Sequence, residues 1–188
     1  MACRAENGAQ PGGCAHLALL YASDDELVSV AVPFVAEGLE AGEPVLVVLS
    51  PEKCALVREA LGADAERVVF EDSFLWYQTP VETLASYRHW VQSRLQGGAG
   101  AARIVGEAIW PVGSPSAVRE WKRYESVFNV EVEHTPVRAL CLYDRRLLPA
   151  EILASAEWTH PEVWRDGAFR ASDLYTEPDE YFRLLDRA

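Results

Sequence analysis

The chain has 188 residues, of which 49% are hydrophobic and 24% are charged, and it carries a net charge of −12. These values are typical of one globular domain that can bury a sizeable core. The acidic excess argues against broad, non-specific binding to DNA, RNA or anionic lipid. No apolar run approaches the roughly 20 residues of a membrane-spanning helix, and residues 1–13 lack the apolar segment of a signal peptide. We therefore expect a cytoplasmic protein that binds neither nucleic acid nor a membrane directly.

Strands and helices are predicted to alternate along the chain. The first strand is the continuous apolar run at 16–21, and an amphipathic helix at 24–40 follows it. Further strands are predicted at 44–49, 67–70, 103–109 and 137–143, and further helices at 51–61, 80–95, 114–129 and 149–157. This alternation predicts a three-layer α/β fold, in which a mainly parallel central sheet of about five strands carries helices on both faces.

The turn between the first strand and the first helix has the sequence Ala-Ser-Asp-Asp-Glu at 22–26. In nucleotide-binding α/β proteins this turn carries glycines that let backbone amides hold phosphate. Here it contains neither glycine nor lysine, and its three carboxylates would repel phosphate from the helix N-terminus. The sequence therefore predicts no affinity for ATP or GTP and no other cofactor.

The chain divides into three segments in this interpretation. Residues 1–13 are expected to form a disordered leader, residues 14–161 the folded domain, and residues 162–188 an aromatic C-terminal extension that packs on the domain. Packing is expected because exposing several large rings together would favour aggregation.

Ligands of open parallel sheets bind beyond the carboxyl ends of the strands. In this chain the rule selects Tyr21, Glu107, Trp110, Tyr143 and Asp144. Glu107 is unusual, because a carboxylate in an apolar strand must be hydrogen-bonded, paired, protonated or exposed at the strand end. It is either a residue that caps local backbone or a ligand contact at the rim of a site. Asp144 has the same two interpretations, since it can cap the following turn.

Glu125 lies on the apolar stripe of its helix, four residues after Trp121 and three before Phe128. Two interpretations stay open for it. It is either a carboxylate at the edge of the stripe that bonds to a backbone group, or a carboxylate that faces the same cleft as Glu107.

His16 opens the first strand, and His160 follows the last predicted helix. A lone histidine in an apolar context is more often a core residue than a ligand, and the spacing is too sparse to indicate a metal site. Cys54 and Cys141 lie in apolar surroundings and are expected to be reduced core residues. No CxxC, GxSxG, HExxH, Walker or GxGxxG motif is present. We therefore expect no metal and no recognisable catalytic residue.

Three stretches of the sequence together resemble a known family. They are HLALLYASDDELVSVAVPFVAEGLEAGEPVLVVLS, RIVGEAIWPVGSPSAVREWKRYESVFN, and ALCLYD followed by THP. They resemble the MEDS domain, the sensory domain of methanogen and methylotroph regulators, and in particular its actinobacterial version in RsbA-family anti-sigma regulators. The resemblance implies a RecA/KaiC-like fold without a working phosphate loop, and a role in sensing small molecules such as hydrocarbon derivatives. The positions that match the family are His16, Tyr21, Glu107, Trp110, Glu125, Tyr143, Asp144 and His160.

We therefore expect a stand-alone sensor that binds a small, partly apolar ligand through these eight residues. It would signal to a separate regulatory protein of the anti-sigma, kinase or transcription-factor type, and it could form a homodimer. Two alternatives stay open. One is an interaction module without a ligand, and the other is a small enzyme that uses Glu107 and Glu125 as an acid–base pair.

Overall fold

The computed structural model of the protein describes residues 14–109 and 114–187. The predicted leader at 1–13 and the candidate Trp110 lie outside the described residues.

A seven-stranded sheet forms the middle layer of the fold. Its strands are β1 (Ala15–Tyr21), β2 (Val45–Leu49), β3 (Val68–Asp72), β4 (Ala102–Glu107), β5 (Val137–Asp144), β6 (Glu162–Arg165) and β7 (Ala168–Ala171). They lie in the order β3-β2-β4-β5-β1-β6-β7, and the pairings are parallel except that β7 runs antiparallel to β6.

Helices form the two outer layers. In the described part of the chain they are α1 (Asp24–Glu40), α2 (Pro51–Leu61), α3 (Ser73–Trp76), α4 (Pro80–Gln96), α5 (Pro115–Val132), α6 (Ala150–Thr159) and α7 (Pro178–Leu185), with a 3-10 turn at Gly62–Arg67. The side-chain oxygens of Ser23, Thr79 and Ser114 cap the first turns of α1, α4 and α5. Pro80 and Pro115 follow two of these caps, where their fixed φ suits the first helical position.

Two separate apolar cores lie on opposite faces of the sheet. On one face the sheet packs against α1 and α2 through residues such as Leu27, Phe34 and Val57. On the other face it packs against α4, α5 and α6, where Trp90, Phe128 and several other rings are buried. Successive residues of each strand point into the two cores in turn, because side chains alternate between the faces of a sheet.

The predicted three-layer fold with a mainly parallel sheet is confirmed, and each predicted strand is found. The sheet has seven strands rather than about five, because β6 and β7 add an edge beside β1. These two strands have four residues each, which is too short for a period of two to be read from the sequence.

We call the face of the sheet that packs against α4, α5 and α6 the α5 face and the opposite face the α1 face. The register of β1 and β5 places three polar side chains on the α5 face. In the parallel pair β1–β5, His16 lies opposite Ala139, Ala18 opposite Cys141 and Leu20 opposite Tyr143. His16, Cys141 and Tyr143 therefore point to the same side of the sheet. Tyr21 and Asp144 are opposite each other at the strand ends and belong to the α1 face.

None of the helices in the described ranges is both long and apolar enough to cross a lipid bilayer.

The packing of α7 gives the first testable prediction. Tyr181 is buried at 3% exposure, and its hydroxyl lies 2.6 Å from the Ser155 Oγ of α6. Removing a buried aromatic ring leaves a cavity, so we expect Tyr181→Ala to lower the free energy of unfolding by about 3 kcal/mol. Urea unfolding measures the change. Leu184→Ala is the control, since Leu184 is 37% exposed. Equal losses in the two variants would contradict packing of α7 on the domain.

Candidate functional site

The predicted site residues fall into two groups on opposite faces of the sheet. Tyr21, Glu107 and Asp144 lie at the strand ends on the α1 face, and the remaining described candidates lie on the α5 face. The carboxylates of Glu107, at the end of β4, and Glu125, on α5, nevertheless both line one small cavity.

Glu107 is the centre of a hydrogen-bond network at the carboxyl end of β4. Its Oε1 accepts hydrogen bonds from the backbone N–H of Ser50 and from the Ser73 hydroxyl, the latter at 2.6 Å. Its Oε2 accepts from the ammonium of Lys53 at 2.6 Å. Ser50 is the residue before α2, so the carboxylate caps this helix and ties it to β4 and α3.

Asp144 and Tyr21 lie beside this network. The Asp144 carboxylate accepts hydrogen bonds from the backbone N–H and the guanidinium of Arg146, which also reaches Asp24 at 2.7 Å. Asp144 therefore caps the turn that follows β5. Burial raises the pKa of Tyr21 to about 12, so its phenol stays protonated.

The acidic turn before α1 is satisfied by its own side chains. Ser23 Oγ accepts the N–H of Glu26 at 3.1 Å, and the Glu26 carboxylate accepts the N–H of Ala22 at 2.8 Å. This reciprocal arrangement resembles a capping box, and it occupies backbone donors of the kind that would otherwise hold an anion.

The α5 face holds a second polar group, which we call the buried polar cluster: His16, Glu125, Cys141, Tyr143 and His160. It brings together residues from β1, α5, β5 and the end of α6. Both histidines and Glu125 are buried, and Cys141 is partly exposed. The predicted inward position of Glu125 on the α5 stripe is confirmed, at 6% exposure.

Short distances connect the members of the cluster. His16 Nε2 lies 3.3 Å from Cys141 Sγ and 3.8 Å from Glu125 Oε2. His160 Nε2 lies 3.8 Å from the same carboxylate oxygen. The two imidazole rings are stacked with their centroids 3.9 Å apart, and Tyr143 meets His160 edge-on at 5.5 Å. Donor atoms of four side chains thus surround one point in the core.

Hydrogen bonds on the outer side of each ring fix its orientation. His16 Nδ1 lies 3.0 Å from Asn129 Oδ1, while Asn129 Nδ2 donates to the carbonyl of Thr159 at 2.7 Å. His160 Nδ1 lies 2.8 Å from the carbonyl of Ala156. Since both partners are acceptors, each Nδ1 must carry the proton, and each Nε2 presents a lone pair to the centre of the cluster.

Burial controls the protonation of the cluster. It lowers the pKa of His16 to about 4, against the opposing hydrogen bond with Asn129, and it lowers the pKa of His160 well below its usual value. Burial raises the pKa of Glu125 to about 8, partly offset by the Tyr143 hydroxyl, and raises the pKa of the Cys141 thiol. At neutral pH the cluster is therefore mostly uncharged, with protons on its carboxyl and thiol.

A small cavity adjoins the cluster. It has a volume of about 20 Å³, and its walls include Tyr77, Tyr87, Gly106, Glu125 and Cys141. The hydroxyls of Tyr77 and Tyr87 lie 2.8 Å apart, and both approach the backbone of Gly106. A Cβ atom at position 106 would lie 2.8 and 3.0 Å from these hydroxyls, so only glycine fits here without displacing them.

Sequence reasoning identified His16, Glu125, Tyr143 and His160 but not their partners. Asn129 was missed, although it follows Glu125 by four residues on the same buried stripe. Cys141 was expected to be a reduced core residue, and it is a free cysteine whose sulfur faces the cluster. No local pattern marks Tyr77, because it follows the four-residue helix α3 and reaches the site only through the fold.

The comparison with protein families identifies the chain. It belongs to the MEDS family, whose model, described as the methanogen/methylotroph DcmR sensory domain, matches residues 15–161. No curated protein shows significant similarity to the chain. The family is a family of sensory domains, so this protein has a sensory or regulatory role, and the expected resemblance is confirmed at the level of the family.

The network around Glu107 gives a prediction about stability. Glu107→Gln removes one charge of a buried pair and leaves the Lys53 ammonium without its partner. We expect the free energy of unfolding to fall by about 3 kcal/mol, because an unpaired buried charge is costly. Chemical denaturation of the full chain measures this loss. Adding Lys53→Met to Glu107→Gln should recover part of it.

The control for this prediction is Glu71→Gln in the neighbouring strand β3. Glu71 is exposed, so its replacement should change stability by less than about 0.5 kcal/mol. A Glu107→Gln variant as stable as this control would show that the network contributes nothing to the fold.

Proposed function

We propose that the protein is a cytoplasmic sensor that binds a small, partly apolar ligand in the cavity beside the buried polar cluster. The observation that supports this proposal is the composition of the cavity walls. Aromatic rings of Tyr77, Tyr87 and Phe128 provide apolar surface, while Glu107, Glu125 and Cys141 contribute the polar part of the walls. Mostly apolar walls with a few convergent polar groups are typical of small-molecule sites.

The size of the cavity limits the size of the ligand. A volume of about 20 Å³ is enough for roughly one water molecule. A ligand of two to four heavy atoms, such as a short alcohol or a halogenated methane, would enter by pushing the tyrosine hydroxyls outward. Because the Glu125 carboxyl is mostly protonated at neutral pH, it can donate a hydrogen bond to an oxygen or halogen of such a ligand.

Tyr77 connects the cavity to the surface in this proposal. It lies between α3 and α4, and these helices expose large apolar side chains at Phe74, Leu75 and Val81. Leu75 is 74% exposed and Val81 is 79% exposed. Displacement of Tyr77 by a ligand would move this apolar surface, which a regulatory protein of the anti-sigma, kinase or transcription-factor type could then recognise.

The α1 face has a structural role in this proposal. Three donors already hold the Glu107 carboxylate, and side chains of the acidic turn at 22–26 occupy the backbone amides of Ala22 and Glu26. We accordingly propose that the ligand is not ATP or GTP.

Filling the cavity tests the proposal. Gly106→Ala places a methyl group where it meets both tyrosine hydroxyls. We expect wild-type protein to show a rise in melting temperature with short alcohols or halogenated methanes, and we expect Gly106→Ala to lose that rise. Differential scanning fluorimetry across a concentration series measures both.

Gly100→Ala is the matched control, because no atom lies within 4 Å of a Cβ built at this exposed position. It should respond as the wild type does. Far-ultraviolet circular dichroism without ligand establishes that Gly106→Ala is folded. A ligand response that survives in folded Gly106→Ala would place the binding site elsewhere.

A further inference from the structure

The buried polar cluster has the donor set of a transition-metal site. One donor atom from each of His16, Glu125, Cys141 and His160 lies within 4.8 Å of the others. Metal–ligand bonds of about 2.0–2.3 Å in a tetrahedron place neighbouring ligand atoms roughly 3.3–3.6 Å apart. The pairs at 3.3, 3.8 and 3.8 Å reach this spacing with small side-chain rotations.

The outer hydrogen bonds orient the two imidazoles as they are oriented in metal sites. A ligating histidine usually donates its second ring N–H to a carbonyl or carboxylate, which fixes the tautomer. Here Asn129 Oδ1 and the carbonyl of Ala156 accept from Nδ1 of His16 and His160. Both Nε2 lone pairs are thereby directed inward before any ion arrives.

Without an ion, one of these lone pairs has no donor among the described residues. His160 Nε2 is fully buried and makes no hydrogen bond. The Cys141 thiol can donate to His16 at 3.3 Å, but the Glu125 carboxyl is 3.8 Å from both Nε2 atoms, which is too far for a hydrogen bond. A buried acceptor without a donor is unfavourable. A cation at the centre would satisfy all four groups.

Charge balance favours a divalent ion. Binding would release one proton from the Glu125 carboxyl and one from the Cys141 thiol. The carboxylate and thiolate then carry two negative charges, which a divalent cation neutralises inside a core that cannot hold net charge. Two imidazoles, one thiolate and one carboxylate are nitrogen, sulfur and oxygen donors of the kind that Zn²⁺ binds, whereas Mg²⁺ and Ca²⁺ prefer oxygen alone.

We propose that His16, Glu125, Cys141 and His160 form a zinc site that joins β1, α5, β5 and the end of α6. β1 lies far earlier in the chain than the other three elements, so the ion would crosslink distant parts of the sequence on the α5 face of the fold. This site goes beyond the proposed ligand cavity and does not depend on it.

Cobalt substitution of the untagged, full-length chain tests the proposal. After treatment with a chelator, the protein is titrated with Co²⁺ and then with Zn²⁺. We expect one equivalent of Co²⁺ to give the intense visible bands of tetrahedral cobalt and a near-ultraviolet thiolate-to-metal band. Zn²⁺ should displace it and raise the melting temperature.

Matched variants assign the bands to the cluster. Cys141→Ser should lose the thiolate band and bind Co²⁺ at least about 100-fold more weakly, whereas Cys54→Ser, at a free cysteine of the described residues in the opposite core, should behave as the wild type. His160→Gln should lose tetrahedral binding, while His89→Gln at an exposed position should not. Asn129→Ala should weaken binding by about 10- to 100-fold, since Asn129 only orients His16.

Three results would overturn the proposal. They are no stoichiometric Co²⁺ binding by the wild type, a spectrum without the thiolate band, and binding that persists unchanged in folded Cys141→Ser. Gly106→Ala separates this inference from the proposed function. It blocks the cavity without touching the four donors, so it should lose the ligand response and keep the cobalt spectrum.

Discussion

The orientation of two buried imidazoles is the constraint on which the α5 face depends. The Asn129 amide and the Ala156 carbonyl can only accept from Nδ1 of His16 and His160, so the remaining nitrogen of each ring must face the core as an acceptor. The groups around the two Nε2 atoms must therefore supply hydrogen-bond donors or hold a cation. The Cys141 thiol can donate to His16 at 3.3 Å, whereas His160 Nε2 has no donor among the described residues, and a cation between the carboxylate and the thiolate would satisfy both rings.

Side chains alternate between the two faces of a strand, and this alternation places the buried polar cluster and the Glu107 network on opposite faces of the sheet. Successive residues of β4 and β5 enter different cores, so Glu107 and Asp144 lie on the α1 face although Gly106 and Tyr143 beside them lie on the α5 face. The Glu107 carboxylate, at the end of β4, accepts hydrogen bonds from Ser50 and Lys53 at the start of α2 and from Ser73 of α3. The sheet therefore carries the Glu107 network on one face and the buried polar cluster on the other.

The limits of sequence reasoning follow from the same geometry. The layers, the parallel sheet and the inward turn of Glu125 could be predicted, because apolar periodicity and caps are local signals. The division between faces was not predicted, since the rule that ligands bind at strand ends ignores which way alternate side chains point. The grouping of the four potential metal ligands could not be predicted either, because His16 and Cys141 are 125 residues apart and meet only through the register of β1 and β5.

Glu125 and Cys141 belong both to the cluster and to the cavity wall, so an ion and a ligand bound at the two proposed sites would be coupled. An ion that deprotonates Glu125 would turn a hydrogen-bond donor at the cavity into an acceptor, so a ligand that needs the donor would bind more weakly. Thermodynamic linkage then requires the same ligand to lower the affinity of the protein for the ion by an equal factor. Tyr87 would carry the change outward, because it lines the cavity with Glu125 and its hydroxyl bonds to that of Tyr77, next to the exposed segment of α3. A sensor built in this way would report the combined occupancy of the proposed ion and ligand through one carboxyl group.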